Sequence, residues 1–355
     1  MCGIYGYVGD QQAVDFLIDG LRRLEYRGYD SAGVAIMGPN GSINVVKRGK
    51  HKSSIKLLSK VLTNSENLGT LGIGHTRWAT HGVISEVNAH PHTDPENNVA
   101  IVHNGIVENY LEIKSDLKSK GFNFASETDS ELIACLIADE IKQGKNLFES
   151  VKNLKNCIRG NSSVIAVSVN NPKEIIGIRL GNAGGIVIGL ENNAGYVSSD
   201  VSALLPNTNK ITYVENGELV RLSNNSYSIY DFSGKKINRE LQKVEIDGYD
   251  TGKGNFNHHM IKEIYEQPHA IQSSLSGRIN FHSQAIDFEE LTESTINIRN
   301  FNRIVLTGMG TSLNAAIYGA QIFEKILGVQ SSAENSSELR YRDPVFDEKT
   351  LLIAI

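Results

Sequence analysis

The feature that most limits how this chain can fold is a succession of short apolar runs, each bounded by turn residues. Residues 164–169, 175–178, 186–190, 195–197, 211–214 and 218–222 are strand-length and mostly separated by Asn, Gly or Pro. Residues 33–37 and 43–47 add two strands around Pro39-Asn40-Gly41, a hairpin signal. Helical spacing occurs at Ala13, Val14, Leu17, Ile18 and Leu21, and again over residues 148–157. It also occurs at Leu132, Ile133, Leu136, Ile137 and Ile141, behind Thr128-Asp129-Ser130-Glu131. That tetrapeptide reads as a capping box and puts Asp129 in a first helical turn. Two layers of mixed sheet with helices outside is the simplest packing of this order, an α/β or α+β class.

At 355 residues the chain exceeds one typical domain. The expected division is a first domain over residues 1–237, a linker over 238–257 carrying Gly248, Gly252 and Gly254 among charges, and a second domain from 258. That second part opens on a helix with Met260, Ile261, Ile264 and Tyr265, which Pro268 is expected to interrupt. A buried strand then runs through Gly308-Met309-Gly310 into a helix with an apolar face of Ala316, Ala320, Phe323 and Leu327. Such a turn offers free N–H groups to a phosphate, although many glycine turns bind nothing. Residues 351–355 read as a further parallel strand. Ligands of parallel sheets lie beyond the carboxyl ends of the strands, so the second domain reads as incomplete.

Composition removes several function classes. The chain has 35 basic and 40 acidic residues, a net charge of −5, and no basic run, which argues against nucleic acid or a membrane surface. It contains no apolar stretch of membrane-spanning length, and a cytoplasmic protein is expected. The three cysteines, at 2, 135 and 157, have no metal-like spacing and read as reduced. His90-Pro91-His92 with Asp94 superficially resembles a metal site, but the spacing does not fit one. No metal and no cofactor is expected.

The residues suited to chemistry are spread over the first part of the chain. Cys2 follows the initiator, so trimming Met1 would place a thiol and a free α-amine on one residue, a nucleophile with its own base. The alternative is a small buried cysteine at the end of a strand. Arg77, in a loop with Trp78, Thr80 and His81, is the side chain that grips a carboxylate through two parallel hydrogen bonds, or else a structural ion-pair partner. Asn104-Gly105 supplies the two donors of an oxyanion hole, or forms an ordinary turn. Asp129 suits an ammonium. Together these describe amide hydrolysis on a free amino acid, with glutamine the obvious candidate.

Met1-Cys2-Gly3-Ile4, residues 22–33, 75–82, 88–92, 103–109 and 126–129 occur in order and resemble the motifs of the class II, N-terminal-nucleophile glutamine amidotransferases. Within that family they are most similar to the members that aminate fructose 6-phosphate. The resemblance runs the length of the chain. It implies a four-layer αββα domain of the N-terminal-nucleophile (Ntn) hydrolase type followed by a partial αβα sugar-isomerase (SIS) domain. It makes Cys2 the nucleophile, Asn104 and Gly105 the oxyanion hole, and Arg77, Thr80, His81 and Asp129 the glutamine pocket. Arg27 would support the active-site loop and Trp78 would gate ammonia. Thr311 and Ser312 would be the first contacts to the sugar phosphate, in a fructose 6-phosphate site incomplete in this chain. A homodimer through the SIS domains is also implied. Asn182-Ala183-Gly184 departs from the Ser-Pro-Leu turn usual in the family. Rival readings are a stand-alone glutaminase, another class II amidotransferase, and a non-catalytic sugar-phosphate sensor.

Overall fold

The computed structural model of the protein describes residues 2–49, 54–63, 69–79, 82–244, 255–275, 279–280, 285–286 and 300–355. The chain divides into two compact units, Met1–Lys262 and Glu263–Ile355. The first unit begins with β1 (Gly3–Val8), α1 (Ala13–Arg23), β2 (Ser31–Met37), β3 (Ile43–Gly49), α2 (Ser54–Thr63), β4 (Leu71–Arg77), β5 (His92–Thr93) and β6 (Val99–Gly105). It continues through α3 (Tyr110–Ser119), α4 (Ser130–Lys142), α5 (Leu147–Cys157), β7 (Ser162–Ser168), β8 (Ile175–Leu180), β9 (Ile186–Glu191) and β10 (Ala194–Ser198). Then follow β11 (Lys210–Val214), β12 (Glu218–Leu222), β13 (Tyr227–Asp231), β14 (Lys236–Ile237) and β15 (Gln242–Lys243).

Among the described residues these strands form an eight-stranded sheet, β15-β11-β9-β10-β1-β4-β2-β3, and a seven-stranded sheet, β14-β13-β12-β8-β7-β6-β5. The pairings are antiparallel, where the sequence suggested mixed sheets. Short turns join β2 to β3, β9 to β10 and β12 to β13, and a tight turn can only return the chain antiparallel. Of the expected linker, Gln242 and Lys243 pair with β11, and residues 245–254 lie outside the described residues.

Three apolar layers result. Between the sheets lie Ile4, Val8, Ile73, Ala100, Val102, Ile165, Val167 and Ile188. The alternate residues of the same strands face outward. Tyr5, Tyr7, Val34 and Ile36 pack under Leu17, Leu21, Leu58 and Leu62 of α1 and α2. Val99, Ile101, Val164 and Ala166 pack under Ile133, Ile137, Val151 and Leu154 of α4 and α5. This is the four-layer αββα arrangement. Each inner strand is buried on both faces, so its sequence is apolar at successive positions.

In the second unit, β18 (Arg303–Gly308) lies between β19 (Gln330–Asn335) and β20 (Thr350–Ala354), parallel to both. Two short strands, β16 (Ile279–Asn280) and β17 (Ala285–Ile286), pair with each other earlier in the chain. α6 (His259–Leu275) runs through Pro268 instead of stopping there. The missing N–H costs one bond in a 17-residue helix. α7 (Thr311–Leu327) covers β18 with Ala316, Ala320 and Phe323, and a short α8 (Ser336–Leu339) follows β19. Leu327, expected on that apolar face, is exposed instead, because it is the last helical residue before the left-handed Gly328.

Leu21 of α1 is wholly buried against β1, the strand that follows Cys2. We expect Leu21→Ala to lower stability by about 2–5 kcal/mol through the cavity it leaves. Urea unfolding monitored by circular dichroism would measure the loss.

Candidate active site

The period of two places three polar residues on the inward rows of the sandwich. Ile4 and Ile73 face the opposite sheet, and in register Ile4 pairs with His75, so His75 faces inward too. Cys2 continues the Ile4 row, and Asn104 continues the row of Ala100 and Val102. One end of the inter-sheet core is therefore lined by a thiol, an imidazole and an amide.

Cys2 is half-buried, with a free thiol. Its Sγ accepts from the Trp78 N–H at 3.1 Å, and its carbonyl accepts from Asn104 Nδ2 at 3.1 Å and from Arg27 Nε at 3.3 Å. Burial pushes the thiol's pKa up, opposed by the Trp78 N–H and by the charge of Arg77. At neutral pH the group therefore rests as a thiol and needs a base before it can attack. Arg27 also bonds Asp200 at 2.7 Å, and the same carboxylate takes the Tyr26 hydroxyl at 2.7 Å. The start of β1 is thus tied to the loop after β10.

Arg77 ends β4, is 4% exposed, and donates to the carbonyls of Val83 at 3.4 Å and Gly82 at 3.5 Å. These long contacts hold the loop that follows. Asn88 and Glu127 brace that loop further: Asn88 Nδ2 donates to the Val83 carbonyl and to Glu127, both at 2.9 Å. Trp78 is 47% exposed and tilted against Tyr29, ring centroids 5.7 Å apart. Thr80 and His81 lie outside the described residues.

The capping box expected at Thr128–Glu131 does not form. Asp129 itself is the residue before α4 and makes no side-chain cap bond. Other partners outcompete the capping pattern. The Thr128 hydroxyl bonds His92 Nε2 at 3.0 Å, and Asp129 Oδ2 accepts the Val107 N–H at 2.7 Å. Glu131 accepts from the N–H groups of Ala125 and Ser126 and from the Ser126 hydroxyl. Gly105 closes β6 at φ +140°, where a side chain would meet the Asn161 carbonyl at 2.1 Å.

The sequence did not reveal what the histidines do. His75, His90, His92 and His103 are all nearly fully buried. His75 stacks on His90 at 4.2 Å, and His90 meets His92 edge-on at 4.6 Å. His103 Nδ1 lies 2.8 Å from the Ser130 hydroxyl, which reaches Asp129 Oδ1 at 3.4 Å. Burial lowers His75 to about 3 and His103 to about 4, and holds His90 and His92 well below the usual value. Asp94 caps its own turn, accepting from the N–H of Val99 at 2.7 Å. The one signal available was density: five of ten histidines fall between 75 and 103. A cleft of about 460 Å³ beside β3 is lined by Val45, Lys47, His92 and Glu131 among others, but not by Cys2, Arg77, Asn104 or Asp129.

With this geometry in view, comparison with known proteins is direct. A family model described as a glutamine amidotransferase domain matches residues 75–174, and one described as a SIS domain matches residues 297–355. Over its whole length the chain is 39% identical to the glutamine–fructose-6-phosphate aminotransferase of Clostridium acetobutylicum. It is 40% identical to that of Thermus thermophilus. It spans 57% of the length of each. Its fold also resembles the glutamine phosphoribosylpyrophosphate amidotransferase of B. subtilis, with a TM-score of 0.56 and 20% identity over 98% of this chain and 71% of that one. The chain carries a glutamine amidotransferase domain and a SIS domain, on a fold like that of the glutamine phosphoribosylpyrophosphate amidotransferase. Its named relatives are the glutamine–fructose-6-phosphate aminotransferases.

The buried histidines set a pH dependence. Above about pH 6.5 they are neutral in both the folded and the unfolded chain, and stability does not change with their titration. Below that pH the unfolded chain takes up protons that the folded chain refuses, so stability falls. The fall continues to about 4 for His103 and about 3 for His75. We expect the urea midpoint to be level from about pH 8 to 7 and to drop at about pH 5.5, by on the order of 1 kcal/mol per buried histidine. A midpoint unchanged at the lower pH would contradict the neutral cluster.

Proposed function

We propose that the first unit hydrolyses L-glutamine to glutamate and ammonia at Cys2. In the complete protein the ammonia aminates fructose 6-phosphate to glucosamine 6-phosphate, a step of amino-sugar synthesis. The observation that carries the reading is the convergence on Cys2 of the Trp78 N–H, which donates to the thiol, and the Asn104 amide, which donates to the Cys2 carbonyl, with the Arg77 charge near enough to act on the thiol.

Removal of Met1 turns the Cys2 nitrogen into a primary amine, which takes the thiol proton as sulfur attacks the side-chain amide carbon. The carbonyl oxygen becomes an oxyanion, held by Asn104 Nδ2 and the Gly105 N–H. Collapse expels ammonia, which leaves with the proton from the amine, and the γ-glutamyl thioester remains. Water, deprotonated by the same amine, releases glutamate and restores the thiol. Arg77 takes the α-carboxylate of glutamine and Asp129 its α-ammonium, with Thr80 and His81 completing the pocket. Arg27 steadies the Cys2 carbonyl, and Trp78, exposed at the mouth, gates ammonia.

In the second unit, Thr311 and Ser312 open α7 behind Gly308-Met309-Gly310, where they are the first contacts to the sugar phosphate. Ile317, Tyr318, Ile326 and Val345 are exposed there, which supports burial against the rest of a SIS domain or in a homodimer. Cys135 and Cys157, free thiols, suit a reducing cytoplasm.

Incubation with glutamine, with and without fructose 6-phosphate, followed by separate assays of glutamate and glucosamine 6-phosphate, tests the reading. Glutamate is expected from the chain itself, in preparations whose mass shows Met1 removed. Cys2→Ala should lower glutamate formation by about three orders of magnitude or more without unfolding the protein. Cys2→Ala turnover equal to wild type would remove Cys2 from its role. Arg77→Lys should raise KM for glutamine about tenfold or more, because an ammonium cannot form the paired bonds of a guanidinium.

A further inference from the structure

An oxyanion donor must present N–H to the reacting oxygen, and a side-chain amide turned through 180° presents C=O instead with almost the same shape. Two contacts decide which way Asn104 points. Nδ2 donates to the Cys2 carbonyl at 3.1 Å, and Oδ1 lies 3.0 Å from His75 Nε2. The Cys2 carbonyl can only accept, so nitrogen must face it. Oδ1 can only accept as well, so His75 Nε2 must carry a proton. Reversed, the amide would set oxygen against oxygen on one side and N–H against N–H on the other.

His75 is therefore the group on which the orientation turns, and its own setting is unusual. It is 0% exposed, and Nδ1 has no hydrogen-bond partner. A histidine that must hold one tautomer ordinarily has its second nitrogen fixed by a hydrogen bond. Here the ring is instead clamped flat on His90, whose Nδ1 accepts the His103 N–H at 3.3 Å and so keeps its own proton on Nε2. The His103 carbonyl lies near the His75 ring and favours its protonation slightly, but outside hydrogen-bonding geometry. It competes for the ring proton and loses to Asn104 Oδ1 at 3.0 Å. A charged ring could serve both acceptors, and burial forbids it.

We propose that His75, as its neutral Nε2–H tautomer, is the positioning residue that keeps the Asn104 amide turned with its N–H groups toward the substrate carbonyl. One Nδ2 hydrogen serves the Cys2 carbonyl, which leaves the second for the oxyanion. The inference rests on the glutaminase reading above. It makes the orientation of Asn104 a consequence of a residue that need not touch glutamine.

Two measurements on the full chain test it. Long-range proton–nitrogen NMR on protein labelled with 15N-histidine reads the tautomer in the wild type. A proton on Nε2 of His75 is expected, and a proton on Nδ1 overturns the proposal whether or not the enzyme turns over. Steady-state glutaminase kinetics read the consequence. His75→Phe keeps a ring without a donor, and should lower kcat about tenfold to a hundredfold with KM within about twofold. His75→Gln, which can return an N–H near the Nε2 position, should recover most of the loss. In an Asn104→Ala background His75→Phe should cost nothing further. An unchanged kcat, or an equal loss in both backgrounds, overturns the proposal. If the Phe variant is unfolded by circular dichroism, the tautomer and the Gln variant decide. A wild-type chain that makes no glutamate would sink the glutaminase reading, leaving the NMR result to judge His75 separately.

Discussion

The mutual burial of two sheet faces is the constraint from which the rest of the first unit follows. Ile4, Ile73, Val102, Ile165 and Val167 exclude water between the sheets, and the outer faces of the same strands require helices to cover them. A strand held on both faces and along both edges has little freedom to shift. β1 lies in the middle of its sheet, bonded to β4 on one side and β10 on the other. Cys2, directly before it, inherits that rigidity. The site is the place where the inward rows of β1, β4 and β6 stop being aliphatic and continue as thiol, imidazole and amide.

Carrying polar groups into such a core has a cost that the structure meets with hydrogen bonds. Asp129 takes the Val107 N–H, Glu131 takes three donors, and His103 lies between the hydroxyls of Ser130 and Ser162. The Arg27–Asp200 pair is largely buried, and such pairs contribute little net stability after desolvation. Its value here is positional, since Arg27 also holds the Cys2 carbonyl. Desolvation keeps the histidines neutral. The histidine wall carries no charge, and the Arg77 guanidinium is a positive charge that acts on the thiol.

The second unit follows another logic. Its strands β18, β19 and β20 are parallel, β18 and β19 are joined through α7, and its glycine turn leads from β18 straight into a helix start. Large apolar side chains remain exposed on it, including Tyr318, Ile326 and Val345. Its core, with Ile304, Leu306, Ala316 and Ala320 buried, is small beside those of the first unit. The chain spans little more than half the length of its relatives, 57%.

The sequence alone determined where most strands begin and end, because glycine, proline and asparagine turns interrupt the runs sharply. β12 matches its expected span, and β8, β9, β10 and β11 differ by only one or two residues at an end. It also marked the candidate residues: the second-position cysteine, the arginine loop, the Asn-Gly pair and Asp129 stand out by residue type and spacing. Which sheet each strand joins was not legible. A strand apolar on both faces shows no alternation, so periodicity cannot say that Ile4 looks at the opposite sheet and Tyr5 at a helix. The Thr128–Glu131 pattern promised a local cap, but His92, Val107 and Ser126, distant or out of helical register, offered these groups better partners. The conduct of His75 and His90 belongs to tertiary structure for the same reason. A ring's tautomer and charge are set by what is packed against it, and those neighbours meet only when the two sheets close.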